Sequence, residues 1–356
     1  MRRVLLIAPQ WIGDAVMAQP LVALLAAQGA RITALALPGI APVLRAMPGV
    51  AEVVEAPFAH GRLDFKARRA LAAQLRRQGF ERAYVLTNNV KSRLVPWLAR
   101  IPQRIGYRGE ARGLLLTDAL AEATENTQRT DMRGHYAALA HWPDTRGAEA
   151  MPAASGAAHE ATQPPASEPT LLVDQAEAHA QRERFALPER WIAVCPGAEF
   201  GPAKQWPVEH YAALARLARQ QGFGVAVLGA ARDAQTGAAI ATQAPGTVNL
   251  CGRTRLDDAI ALLSLAAGVV SNDSGLMHVA AALGRPTVGV YGSTDPRHTP
   301  PAAHRSATLW LHLDCSPCFQ RTCPLGHSNC LRGIAPETVW GRLQSLFPDA
   351  AAPEVG

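Results

Sequence analysis

Apolar residues along the chain form short uninterrupted runs, and these alternate with longer segments in which they recur every third or fourth position. Val4-Leu5-Leu6-Ile7-Ala8 is the first run, and a strand apolar on both faces belongs in a parallel sheet covered by helices on each side. Pro9–Asp14 reads as the loop that follows. Ala15–Gln28, with Val16, Leu21, Leu24 and Leu25 apolar and Gly29 at its end, predicts a helix. The alternation continues with strands predicted at Ile32–Ala36, Ala51–Val54 and Ala83–Leu86 and helices near residues 40–47, 65–78 and 90–99. Residues 143–170 interrupt it: Pro152, Pro164, Pro165 and Pro169 among alanines and polar residues make a poor core and a good linker. A second series then predicts strands at Trp191–Val194, Gly224–Leu228, Gly268–Val270 and Thr287–Val290, with helices at 208–220, 232–243, 256–265 and 275–283. Two such series imply an α/β chain of two doubly wound domains. The expected division is 1–170, with 143–170 as linker, then 171–335, then a helix and tail over 336–356 that packs back on the first domain. A cleft between two such domains is a favoured place for a ligand.

Length agrees, because 356 residues give each of two domains enough chain to bury a core. Hydrophobic residues at 48% and charged residues at 18% describe a globular protein, not a disordered one. No apolar run approaches the ~18–20 residues that span a bilayer. Met1-Arg2-Arg3 before an apolar stretch has the look of a signal peptide, but the stretch is short and runs into Gln10-Trp11 and Gly13-Asp14. A first strand and a cytosolic enzyme are the expectation. The formal charge of +6 and a pI near 9.2 point to an acidic partner. Much of the surplus lies in the first half. Arg62, Lys66, Arg68, Arg69, Arg76 and Arg77 surround one predicted helix, and Lys91, Arg93, Arg100, Arg104, Arg108 and Arg112 follow the fourth strand. Either these are ordinary solvated residues, or they meet an anionic acceptor or membrane surface. Aromatic residues at 6%, with no stacking motif or recognition helix, argue against nucleic acid. The absence of G-x-G-x-x-G after the first strand argues against a nicotinamide or flavin dehydrogenase.

Four loops fall at predicted strand ends, where parallel sheets bind ligands: Pro9–Asp14, Pro196–Pro207, Gly229–Asp233 and Asn272–His278. Ser271-Asn272-Asp273-Ser274-Gly275-Leu276-Met277-His278 joins a buried strand to an alanine-rich helix. The first N–H groups of such a helix receive diphosphates, although Asp273 or Ser274 could equally be a simple cap. Asp14 could cap a helix, or take a proton from an attacking hydroxyl. Lys204, in a glycine- and proline-rich loop that includes Gly197, could be pinned beside a phosphate or solvated. Asp233 could accept from ribose hydroxyls or cap its own helix, and His278 could serve the site or pack in the core.

Taken together the motifs are specific. P-x-W-x-G-D near the start, Cys-Pro-Gly-Ala-Glu-Phe-Gly-Pro-Ala-Lys-x-Trp-Pro over 195–207 and Asn-Asp-Ser-Gly-Leu-Met-His-Val-Ala-Ala-Ala-Leu over 272–283 resemble the bacterial lipopolysaccharide heptosyltransferases, glycosyltransferase family 9. The two longer motifs resemble the heptosyltransferase II branch. The resemblance implies a GT-B fold, two Rossmann-like domains facing each other across a cleft, with acceptor on the first and nucleotide sugar on the second. It implies inverting transfer of L-glycero-D-manno-heptose from ADP-heptose to the first heptose of the lipopolysaccharide inner core, at the cytoplasmic leaflet of the inner membrane. It makes Asp14 the general base and Lys204 the cation on the diphosphate. Asp273, Ser274, Gly275 and Leu276 become donor contacts, with Gly197 and His278 beside them, and Asp233 becomes the ribose ligand. Arg62, Lys66, Arg68 and Arg69 are then acceptor-side candidates. Gln205 departs from the arginine usual after the lysine. A heptosyltransferase I acting on Kdo-lipid A, or a sugar-nucleotide epimerase of the same architecture, are the alternatives. With no D-x-D pair at the donor turn, no catalytic cofactor is expected.

Cys315-x2-Cys318-x4-Cys323-x6-Cys330, with His327 inside it, has the crowding of a metal knuckle. Structural zinc, disulfides and reduced thiols are the competing readings, and zinc suits a cytosolic protein better than disulfides. The segment resembles an insertion carried by only some relatives, so the chemistry cannot depend on it.

Overall fold

The uninterrupted apolar runs become the centres of two parallel sheets. The computed structural model describes residues 1–58, 63–121, 131–141 and 167–348, and the chain divides into units Met1–Pro169 and Thr170–Gly356. Among the described residues the first unit carries β1 (Arg2–Ile7), β2 (Ala30–Ala36), β3 (Val50–Glu55), β4 (Arg82–Val85), β5 (Gln103–Tyr107) and β6 (Asp118–Leu120). Their order is β3-β2-β1-β4-β5-β6, every pair parallel. The second carries β7 (Trp191–Cys195), β8 (Gly224–Val227), β9 (Thr247–Asn249), β10 (Gly268–Asn272), β11 (Thr287–Val290) and β12 (Ser306–Leu309) in the order β12-β11-β10-β7-β8-β9, again parallel throughout.

Helices cover the sheets and close a core in each unit. In the first, Leu5, Ile7, Leu35, Ala83 and Val85 of the strands pack with Leu71, Leu75 and Val95 of the helices Phe65–Arg76 and Val90–Leu98. In the second, Ile192, Val194, Val225, Val227, Val270 and Val288 meet Tyr211, Leu214 and Ala215 of the helix Val208–Gln220. Both sheets reverse direction of growth once, between β1 and β4 and between β7 and β10. These switch points leave crevices at the carboxyl ends of the strands, and the motif loops emerge there.

Two expectations need correction. The stretch 15–28 is two helices, Ile12–Met17 and Gln19–Ala27, because Pro20 at the start of the second cannot continue the hydrogen-bond ladder of the first. The described part of 336–356 belongs to the C-terminal core: helix Pro336–Gln344 buries Val339, Trp340 and Leu343 there, its apolar residues lying on one face. Strands β5, β6, β9 and β12 lie outside the apolar runs that predict strands; they are short and polar-rich and lie toward the sheet edges, where the apolar signal is weak. The linker 143–170 falls largely outside the described residues.

Candidate functional site

In the C-terminal unit β10 lies in register beside β7, with Ser271 opposite Cys195, so the loops that leave them run side by side. Asn272 fastens one to the other. Its side-chain oxygen accepts from the Trp206 backbone N–H and from the Tyr211 hydroxyl, both at 2.9 Å, and its Nδ2 donates to the Pro196 carbonyl at 2.6 Å. The residue is fully buried, so each of these bonds replaces one that water would have made. Trp206 is held in turn by donation from Nε1 to the Ile334 carbonyl at 3.0 Å.

This frame sets Lys204, on the short turn Pro202–Lys204, against Asp273. Lys204 Nζ donates to Asp273 Oδ2 at 2.5 Å, the Thr294 hydroxyl donates to the same oxygen at 2.7 Å, and His278 Nε2 stands 3.8 Å from Oδ1. The Asp273 and Lys204 side chains are only 6% and 15% exposed. Burial pushes the Asp273 carboxyl up, but His278 and Lys204 override it and hold the group well below the ordinary carboxylate range. The carboxylate therefore stays ionised at neutral pH and aims the Lys204 ammonium. Thr294, in the loop after β11, is a member of this cluster that carries no sequence signal of its own.

Immediately after Asp273 the helix Gly275–Ala282 begins, with Ser274 as its extended N-cap and no side chain capping it. The first N–H groups of the helix, around Gly275 and Leu276, thus receive no side-chain cap, the arrangement that can accept an anion. His278, one turn on, is buried and turned toward Asp273, so it serves both the core and the cluster. Asp233 lies where β7 and β8 end. A Cβ on Gly197 would come within 2.5 Å of Asp233 Oδ2, so glycine is required for this approach. That same oxygen accepts from the Ala230 N–H at 2.9 Å, so Asp233 does cap its own turn while standing beside Gly197.

In the N-terminal unit a cavity of about 220 Å³ opens at the β1/β4 switch point, with Ala8, Gln10, Arg68, Asn89 and Lys91 in its wall. Asp14 is not a helix cap: Trp11 holds that position, and Asp14 sits half-buried in the first helical turn. It lies close enough to the Tyr136 phenol that, after burial, its charge is the next cause raising that hydroxyl's pKa.

The basic surplus divides into structural and surface parts. Arg68 is buried, donating to the carbonyls of Leu63 and Lys91 at 2.5 and 2.9 Å and stacking 3.8 Å over the Phe58 ring. Arg93 is wholly buried and ties down the carbonyls of Asn88, Tyr107, Arg108 and Glu110, while Arg104 holds those of Ile101 and Leu115. Lys66 and Arg69 are exposed, and Arg62 lies outside the described residues.

This strand order occurs in many enzymes, and the family match separates them. The model for glycosyltransferase family 9 (heptosyltransferase) matches residues 68–329. The chain belongs to glycosyltransferase family 9. Among curated relatives of this family 9 enzyme, lipopolysaccharide heptosyltransferase 2 of Escherichia coli K12 is 38% identical over 355 residues, covering 97% of this chain and 98% of the relative. Lipooligosaccharide heptosyltransferase 2 of Haemophilus influenzae is 37% identical, covering 86% and 88%. The solved structure of E. coli ADP-heptose lipopolysaccharide heptosyltransferase II superposes with a TM-score of 0.80 at 37% identity, covering 97% of this chain and 98% of that one. The two parallel-sheet units are those of a GT-B glycosyltransferase.

The cysteines Cys315, Cys318, Cys323 and Cys330 are free thiols, half-buried, so the disulfide reading does not hold in this structure. Together with His327 they line one small cavity. Among the described residues no three His, Cys, Asp or Glu side chains already stand in a metal-holding arrangement.

Proposed function

We propose that this glycosyltransferase moves L-glycero-D-manno-heptose from ADP-heptose onto the first heptose of the lipopolysaccharide inner core, inverting the anomeric centre. Near-full-length likeness to proteins named heptosyltransferase 2 supports the substrate class. The observation that carries the donor side is the Lys204–Asp273 ion pair beside the uncapped helix start at Gly275. An ammonium pre-aimed by a buried carboxylate, with the uncapped N–H groups of a helix start following in the chain, suits the charge that develops on a departing nucleoside diphosphate.

The reaction follows from those groups. The acceptor hydroxyl attacks the anomeric carbon, the new C–O bond forms as the bond to the β-phosphate oxygen breaks, and ADP leaves. Asp14 takes the hydroxyl proton. Lys204 and the N–H groups of Gly275 and Leu276 receive the charge on the diphosphate, and Asp233 beside Gly197 accepts from the ribose. The cavity walled by Arg68 and Lys91, with exposed Lys66 and Arg69 and the neighbouring Arg62, takes the anionic acceptor. A transfer assay with ADP-heptose and two acceptors, one carrying the first heptose and one lacking it, tests the assignment. Transfer only to the first supports it; transfer only to the second makes the enzyme a heptosyltransferase I, and donor consumption without either makes it an epimerase.

We further propose peripheral attachment to the cytoplasmic leaflet. Among the described residues no helix is long and apolar enough to cross a membrane. Leu63 and Phe65, each 49% exposed, come just before the basic positions Lys66 and Arg69 at the start of one helix, the mix that binds an anionic interface. Flotation with anionic liposomes should weaken in a Lys66→Glu/Arg69→Glu variant; unchanged flotation would remove the attachment site.

A further inference from the structure

We infer that Cys315, Cys318, Cys323 and Cys330 form a tetrathiolate site for a soft divalent cation, zinc first, which braces the two loops that hold Asp273. All four cysteines line one cavity of about 20 Å³, room for one water-sized particle by the usual measure of about 10–15 Å³. The set is all sulfur, the donor type that selects zinc and its neighbours over magnesium or calcium. Cys330 lies within electrostatic reach of the other three thiols. Ion binding draws the sulfurs inward by side-chain rotation and releases their protons to solvent.

The segment that carries these cysteines is bonded to the donor site at both of its edges. Between Cys318 and Cys323, the Arg321 carbonyl accepts from the Ala203 N–H at 3.0 Å, next to Lys204, and Gly201 lacks a side chain where a Cβ would stand 2.5 Å from that carbonyl. The Phe200 ring is near two cations, its centroid 5.4 Å from the Arg321 guanidinium and 5.3 Å from Lys204 Nζ. On the other side the Phe319 N–H donates to the Ser293 carbonyl at 2.7 Å and the Ser316 hydroxyl to the Gly292 carbonyl at 2.5 Å, just before Thr294. Lys204 and Thr294, the two donors to Asp273 Oδ2, are therefore both anchored on the cysteine segment. A cation that stiffens the segment fixes their approach.

The consequence for donor affinity rests on the proposed donor site; the metal content does not. Full-length protein purified without chelator or a metal-affinity column should carry stoichiometric metal by mass spectrometry. The metal should be released when a mercurial titrates the thiols, and Co(II) exchanged for it should show the strong visible bands of tetrahedral thiolate ligation. Cys318→Ser/Cys330→Ser should lose the metal and bind ADP several-fold more weakly while remaining folded by circular dichroism. Metal-free wild type with all four thiols freely reactive overturns the site, whatever the variant does. Metal present but ADP affinity equal in wild type and variant overturns the brace. Wild type that carries metal yet binds no ADP refutes the donor reading and supports the site.

Discussion

Replacing Asp273 by Asn keeps the shape of the side chain and removes its charge, leaving the Lys204 ammonium facing a neutral amide. The site admits little water, the two side chains being 6% and 15% exposed. Breaking a buried ion pair from one side costs about 3–5 kcal/mol, because the remaining charge keeps its desolvation penalty and loses its partner. For a domain of this size that is a fall of roughly 6–20 °C in the melting midpoint. Lys204→Met leaves the complementary defect, an Asp273 carboxylate held only by His278 and Thr294. The double variant removes both charges and should cost clearly less than the sum of the singles. Urea unfolding of the four proteins, with hydrogen exchange of the β7 and β10 amides to localise the effect, measures the cycle. Additive losses, or a loss below about 1 kcal/mol for Asp273→Asn as for an exposed pair, would refute the buried-pair reasoning.

The sign of the pH effect follows from the same carboxylate. Its native pKa lies below the unfolded one, so its stabilisation is complete above about pH 4, the ordinary carboxylate range, and fades as pH falls through the native value; an acid-unfolding series should show a shallower dependence in Asp273→Asn. Lys204→Ala should weaken ADP-heptose binding and turnover together, by about 10–100-fold for one charge-assisted contact of 1.5–3 kcal/mol, as read by calorimetry and initial rates. Gly197→Ala forces a methyl against Asp233 Oδ2 and should destabilise by about 1–3 kcal/mol of overpacking while weakening adenosine-nucleotide binding. Arg93→Ala should lower stability by freeing the carbonyls of Asn88, Tyr107, Arg108 and Glu110, checked by thermal unfolding.

The central strands were legible because a strand buried on both faces has no polar alternation to confuse it: β7 and β11 begin where the apolar runs begin. The edge strands were not, since β9 is Thr-Val-Asn and β6 opens on Asp118. Helix Gln175–Arg184 has hardly an apolar residue to mark it and starts on its Asp174 cap. At the donor site the motif residues are those the loops bring together, but their division of labour emerges only from three dimensions. Asp273 points at Lys204, and Thr294 arrives from the loop after β11. On the first unit, composition could count arginines without saying which face water. Arg68 shares the i, i+3, i+4, i+7 stripe of Leu71, Ala72 and Leu75, a sign in the sequence that it turns inward.

The account assigns proton removal to Asp14 and diphosphate binding to the Lys204 cluster, and one measurement separates them. Asp14→Ala, assayed with ADP-heptose and an acceptor bearing the first heptose, should lose about 10²–10⁴-fold in turnover, the worth of a general base, while its calorimetric affinity for ADP-heptose stays at the wild-type value. Wild-type turnover in that variant would contradict the account.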